Sequence, residues 1–166
     1  MKRIRFICLA LGLSAVCGMA HAKEVVGWIE NVKVYPGGIL VAAKVDTGAH
    51  TSSLDCHCIT PSERDGHKYV RFTIHGTDGK IREFEKPVVR VAKVKQHIGQ
   101  SQERYVVKLG ICLAGTYRER EVTLTDRENF KYPILVGRNF LGSYFLVDPS
   151  AKNISSPNCR DVNPHE

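Results

Sequence analysis

Branched and aromatic residues recur along this chain in short runs that alternate with polar positions, and clusters of Gly, Pro, Asp and Asn separate the runs. Such spacing predicts strands rather than helices. Residues 25–35 read as a first strand, Pro36-Gly37-Gly38 as a turn, and 39–45 as a second strand. Residues 68–75 alternate as a half-buried strand does, Gly76-Thr77-Asp78-Gly79 turns the chain, and 80–91 returns to complete a hairpin. Another hairpin is predicted from 104–113 and 117–124 around Ala114-Gly115. The apolar run at 132–136 suits a buried strand, 137–141 begins the one convincing helical turn, and 144–147 is a last short strand before Asp148-Pro149. Beyond it the tail is polar and loosely patterned. Many short strands with scarcely any helix predict an all-β fold, a small closed or nearly closed barrel with one short helix.

The first residues follow another pattern. Lys2, Arg3 and Arg5 precede an apolar run over 6–16 that is too short to span a bilayer comfortably, and Ala20-His21-Ala22 fits a small-x-small cleavage site. The expectation is a secretory signal over 1–22, one domain over 23–150, a polar tail over 151–166, and a periplasmic or secreted mature protein. Cys8 and Cys17 would leave with the signal, so Cys56, Cys58, Cys112 and Cys159 would meet an oxidising compartment. Four thiols allow up to two bridges in three pairings, among which sequence does not choose. A bridge from Cys159 to the body would hold a tail that otherwise has little to anchor it. The signal carries three of the 24 basic residues and none of the 17 acidic ones, which leaves the mature chain at +4. That mild, scattered surplus permits attraction to acidic peptides, anionic cell-wall polymers or lipid surfaces, and without aromatic interleaving it argues against nucleic acid as a partner.

One carboxylate stands out by its position. The alternating run at 39–45 delivers Asp46 to a turn of small residues, Thr47, Gly48 and Ala49, where the backbone can fold back tightly. Asp-Thr-Gly-Ala resembles the signature around the catalytic aspartate of aspartic proteases. Downstream, Ile134-Leu135-Val136-Gly137-Arg138-Asn139 is similar to the second signature of retropepsins, the single-domain aspartic proteases typified by retroviral enzymes. More closely, Gly27-Trp28-Ile29-Glu30, the run from Lys44 to Ala49 with Thr51-Ser52-Ser53-Leu54 after it, Lys86-Pro87-Val88, and the stretch from Leu124-Thr125-Asp126-Arg127 to Phe140-Leu141 resemble a bacterial retropepsin-like family. That family has carried the label of ATP-dependent zinc protease, and the resemblance covers 27–148.

The resemblance implies a small β-barrel acting as a symmetric homodimer on a peptide or protein substrate. Asp46 would be catalytic, Thr47 would brace the two loops across the axis, and Gly48 and Ala49 would meet substrate. An aspartic protease needs two carboxylates sharing a proton. Only one Asp-Thr-Gly is present here, because Asp126 and Asp148 lack the glycine turn, so a second copy would supply the other. Arg138, with Asn139, would tie the helix start to the region after the catalytic loop. Counting back from Gly137 as in retroviral enzymes puts a covering hairpin at 95–101, with His97, Ile98 and Gly99 over the substrate; counting forward from Asp46 selects 76–80 instead. His50 departs from the family of retroviral enzymes, which usually have an acidic residue there.

Neither adjective in the family's label finds support in the residues. Cys56, His57, Cys58, His67 and His75 are zinc-ligand types, but Cys-x-Cys is a poor claw and no His-Glu-x-x-His occurs. No glycine-rich phosphate loop is present either, so neither metal, ATP nor another cofactor is expected. Two rival functions remain, a peptide-binding module that does not cut and a zinc-dependent hydrolase. Relatives in the resembled family are associated with peptide ligases and glutamate-rich tails, which fits an acidic substrate.

Overall fold

The computed structural model describes residues 22–94, 101–125, 131–160 and 162, apart from the side chain of Cys58. The strands are β1 (Glu24–Tyr35), β2 (Ile39–Val45), β3 (Ser52–Asp55), β4 (His57–Arg64), β5 (His67–His75), β6 (Ile81–Pro87), β7 (Arg90–Val94), β8 (Gln102–Leu113), β9 (Thr116–Thr125), β10 (Ile134–Val136) and β11 (Phe145–Lys152), with a single helical turn α1 (Arg138–Leu141) between the last two. An eight-stranded sheet runs in the order β11-β1-β2-β10-β3-β9-β8-β7, and a further β1–β8 pairing bends it into a ring. Val32 to Tyr35 of β1 lie opposite Leu113 to Gly110 of β8, so six strands close a barrel while β11 and β7 extend from it. The expected all-β barrel with one short helix is the fold.

Alternation explains which side chains fill it. Along β2 the residues Ile39, Val41, Ala43 and Val45 are buried, and they meet Val32 and Val34 of β1, Val107, Leu109 and Ile111 of β8, and Val122 and Leu124 of β9 in one core. A second sheet, β4-β5-β6, adds Val70, Phe72, Ile74 and Phe84 to that core, with the Phe72 and Phe84 rings stacked at 5.4 Å. Its outer face carries the exposed ion pairs of Arg64 and Arg71 with Glu83 and Glu85.

The structure departs from the expected elements in three places. The return expected over 80–91 is split between two sheets: the Val88 N–H donates to Lys68 O at 2.8 Å in the second sheet, and the Val89 N–H donates to Val106 O at 2.8 Å in the barrel. Pro87 has no N–H with which to continue the β6 ladder. Strands β3 and β4 are not predicted by the hydrophobic pattern, because Ser-Ser-Leu-Asp has little apolar character and β4 contains Pro61 and a register shift between His57 and Thr60. The last strand extends to Lys152 through Pro149, a residue an edge strand tolerates.

The segment after β11 docks on the barrel through charge and covalent chemistry rather than apolar burial. Glu30, wholly inaccessible on β1, accepts hydrogen bonds from the N–H groups of Gly27 (2.7 Å), Ile154 (3.2 Å) and Ser155 (3.2 Å) and from Ser155 Oγ (2.9 Å). A buried carboxylate is tolerable when its lone pairs are occupied in this way. Cys159 forms a disulfide with Cys112 of β8, and the Asn158 N–H donates to Ala114 O at 2.9 Å. Cys56 is buried, its Sγ 3.8 Å from Leu54 O and 4.0 Å from Thr125 O.

Replacing Glu30→Gln turns an acceptor into an amide whose N–H₂ confronts other donors, and an unfolding free energy lower by about 1–3 kcal/mol is expected in urea titration. Opening the Cys112–Cys159 bridge, by reductant or Cys159→Ser, releases a loop of 47 residues and is expected to lower stability by about 2–4 kcal/mol in the same assay.

Candidate active site

Asp46 leaves the end of β2 still in register, its N–H donating to Val136 O of β10 at 2.9 Å. The chain then folds back over the side chain. Asp46 Oδ1 accepts from the Gly48 N–H at 2.9 Å and the Ala49 N–H at 3.2 Å, the local closure that aspartate offers a turn. Asp46 Oδ2 receives no donor and forms no ion pair among the described residues. A Cβ on Gly48 would come within 3.2 Å of Asp46 Oδ1, so a glycine keeps the carboxylate uncrowded. Thr47 and Gly48 are exposed while Asp46 and Ala49 are half-buried, which leaves one carboxylate oxygen held and the other uncommitted at the surface.

The loop rests on β10 and α1. Arg138 Nη1 donates to Thr47 O at 2.8 Å and to Gly48 O at 2.7 Å, and the Arg138 and Asn139 N–H groups donate to Ala49 O (2.9 Å) and His50 O (2.8 Å). The guanidinium thus reaches the loop's own carbonyls. Asn139 closes a second set: its Oδ1 accepts from Ser52 N–H (3.1 Å) and Ser52 Oγ (2.9 Å), and its Nδ2 donates to Glu121 O (2.7 Å). Ser52 Oγ in turn accepts from the Gly137 N–H at 3.0 Å. At Gly137 a Cβ would stand 2.9 Å from the Thr51 carbonyl carbon and 3.0 Å from His50 O, so only glycine allows this approach.

On one side of the loop lies a cleft of about 280 Å³. Ala49 and Thr51 form its lip, Ser53, Thr123 and Leu135 its floor, and Arg90, Ala92, Val94 and Arg104 of the β7–β8 hairpin its far wall. Burial pulls the Arg104 guanidinium below the ordinary arginine value. On the other side is a largely apolar hollow of about 330 Å³ bounded by Thr47, Arg138, Leu141, Phe145 and Leu146.

These positions separate the two candidates for a covering hairpin. The turn at 76–80 is docked on Leu40, with the Thr77 N–H donating to its carbonyl at 2.8 Å, at the end of β2 roughly 20 Å from Asp46 by strand rise. The β7–β8 hairpin instead shares the cleft with Ala49. Residues 95–100, His97, Ile98 and Gly99 among them, lie outside the described residues. The cleft residues Ser53, Arg90 and Arg104 were not picked out by sequence reasoning, although the period of two that runs Ala49, Thr51, Ser53 was a signal for the first. Around Cys56 and His57 the rings of His57 and His75 lie tilted at 33° with centroids 4.5 Å apart, and no group of three or more His, Cys, Asp or Glu among the described residues has metal-binding geometry.

A ring of six strands with an Asp-Thr-Gly loop seated on a Gly-Arg-Asn helix start defines a retropepsin-like protein. The chain belongs to the RimB-like family, described as retropepsin-like aspartic endopeptidase RimB, whose model matches residues 25–158. Curated relatives include a protein of Shewanella pealeana, 38% identical over 66% of this chain, and one of Parasynechococcus marenigrum, 32% identical over 68% of it. Both are named probable alpha-L-glutamate ligase, and the chain spans about 25% of their length. A crystal structure of a Legionella pneumophila protein of unknown function superimposes with a TM-score of 0.67 at 34% identity, covering 81% of this chain and 100% of that one.

Asn139→Ala removes an acceptor shared by two Ser52 donors and the donor to Glu121 O. It is expected to lower stability by about 2–4 kcal/mol, read from the urea midpoint.

Proposed function

We propose that the chain is an aspartic endopeptidase that hydrolyses peptide bonds as a homodimer, with water activated between the Asp46 carboxylates of two copies. The observation that carries this reading is the half-held carboxylate: Oδ1 is fixed by two backbone N–H groups while Oδ2 is left for water or for a second carboxylate. One such loop per chain supplies half of the chemistry. In the assembled pair one carboxylate is charged and its twin protonated, because adjacent like charges do not both ionise. The charged one takes a proton from water as the water oxygen bonds to the carbonyl carbon, and the other gives its proton to the carbonyl oxygen. Collapse of the tetrahedral adduct breaks the C–N bond: a hydroxyl of the adduct returns its proton to the charged carboxylate while the protonated one gives its proton to the departing nitrogen, which leaves the dyad with a single proton again.

In this reading Thr47 braces one loop against the other, Gly48 and Ala49 present backbone to substrate, and Arg138 with Asn139 keeps the loop in place. Support for the second copy comes from the apolar hollow beside Thr47 and from the start of the β1–β11 pair, where Val25 of β1, Tyr144 just before β11 and Leu146 of β11 are 50%, 41% and 52% exposed. The ligase name of the longer relatives favours an acidic peptide as substrate, and the mature charge agrees with it. It also favours a second reading, in which the domain holds a glutamate-rich chain without cutting it. An exported protein is the compartment that suits the Cys112–Cys159 bridge and the leader-like start.

Asp46→Asn is expected to lower peptide cleavage at least about 1,000-fold with an unchanged circular dichroism spectrum. Specific activity of the parent should rise with protein concentration until the dimer saturates. Full turnover by the variant, or concentration-independent activity of a demonstrated monomer, overturns the peptidase reading. Saturable peptide binding with no product by mass spectrometry selects the binding module.

A further inference from the structure

The floor of the cleft holds an anomaly. Ser53 is 6% exposed, and its Oγ is the one buried side-chain oxygen with no hydrogen-bond partner among the described residues. Such an atom carries a desolvation penalty unless something enters to bond it. Its neighbour on the floor is differently placed, since Thr123 Oγ1 donates to Ser52 O at 3.3 Å. Sheet register puts both on one face: Ser53 lies opposite Leu135 and Thr123, Thr123 opposite Val106, and Arg104 two residues from Val106 on the same strand.

The two arginines of the wall are not equivalent. Arg90 gives both Nε and Nη2 to Glu121 Oε2, at 3.0 and 2.8 Å, so its charge is already compensated. Arg104 gives Nε and Nη2 to Gln102 Oε1, at 2.9 and 2.8 Å, a neutral acceptor. Its Nη1 has no acceptor, and no carboxylate pairs with it among the described residues. A half-buried guanidinium oriented by an amide and left without a counter-ion, beside an unsatisfied hydroxyl donor, matches a planar two-oxygen anion.

We infer that this cleft is a subsite for a carboxylate side chain of the substrate, with Arg104 and Ser53 as the recognising groups. It rests on the reading that substrate lies beside the Asp46 loop, whether or not the bond is cut. The chemical class taken is a peptide carrying glutamate or aspartate at the position that enters the cleft. Arg104 supplies the charge-assisted bond, Gln102 holds its plane, and Ser53 donates to the second oxygen. An amide in place of the carboxylate loses the charge-assisted bond to Arg104, while the Ser53 hydroxyl can accept from its N–H₂, so the preference for glutamate over glutamine rests on Arg104.

The test separates this inference from catalysis by using the full mature chain carrying Asp46→Asn. Fluorescein-labelled hexa-α-glutamate and hexaglutamine are titrated by anisotropy at constant ionic strength. Hexa-α-glutamate should bind at least about tenfold more tightly. Arg104→Gln should abolish that preference and Ser53→Ala should cut hexa-α-glutamate affinity roughly three- to tenfold. Lys68→Gln, the same loss of charge in the second sheet, should leave the preference intact. Equal affinity for both peptides, binding of neither, or a preference that survives Arg104→Gln overturns the inference. Should Arg104→Gln fail to unfold cooperatively, Ser53→Ala decides alone: unchanged hexa-α-glutamate affinity refutes the site. A parent chain that cuts neutral peptides without discrimination keeps the peptidase reading and sinks this one. Selective binding of hexa-α-glutamate without any cleavage does the reverse.

Discussion

Two backbone segments far apart in sequence, 46–52 and 136–139, are held against each other by a closed set of hydrogen bonds, and the position of Asp46 depends on it. Gly137 lets the segments approach, Ser52 Oγ bridges its N–H to Asn139, and Arg138 reaches the carbonyls of Thr47 and Gly48. Ser52 and Gly137 are buried, so losing Asn139 or the Ser52 hydroxyl leaves buried groups unsatisfied and that part of the set behaves as a unit, while the Arg138 bonds close it at the surface. Strand pairing alone would not supply this precision. Strand β2 ends at Val45, and beyond it the loop has only these partners to define its path.

Much of the barrel was legible because its strands alternate or end at turn residues. Strand β2 has apolar residues on one face throughout, β8 has them from Tyr105 to Leu113 and β9 at Val122 and Leu124, and Pro36-Gly37-Gly38 and Ala114-Gly115 sit where the chain turns. Strand β3 escaped because its stability comes from two neighbouring strands rather than its own composition: Ser52 and Ser53 are buried by β9 and β10, and polar residues in a core leave no periodic apolar trace. Strand β4 is held by pairing with β5 despite Pro61. The handover between Val88 and Val89 was hidden for another reason, since the run is equally branched on both sides and only tertiary partners decide where one sheet ends.

The site was legible where it used a local motif and not where it used assembly. Asp46, Thr47, Gly48 and the Gly-Arg-Asn turn could be read from neighbouring letters. Ser53, Arg90 and Arg104 come from three strands, and their convergence exists only after β7 pairs with β8 and β8 with β9. Charge counting did not help: a scattered +4 gives no hint that Arg90 is neutralised by Glu121 while Arg104 faces an amide. Glu30 is the mirror case, an acidic residue whose burial could not be guessed from a strand pattern because its partners lie 124 and 125 residues further on.

The switch of sheets at consecutive residues also governs how the β7–β8 ribbon can bend. Its root is clamped twice, to Lys68 on one sheet and Val106 on the other, whereas β7 at the rim has a neighbour on one side alone. A small twist near the clamp therefore grows with distance along the ribbon, like the sweep of a cantilever. The rungs of β8 with β9 start only at Val106, so the far wall of the cleft stands on a two-stranded extension while its floor belongs to the closed ring.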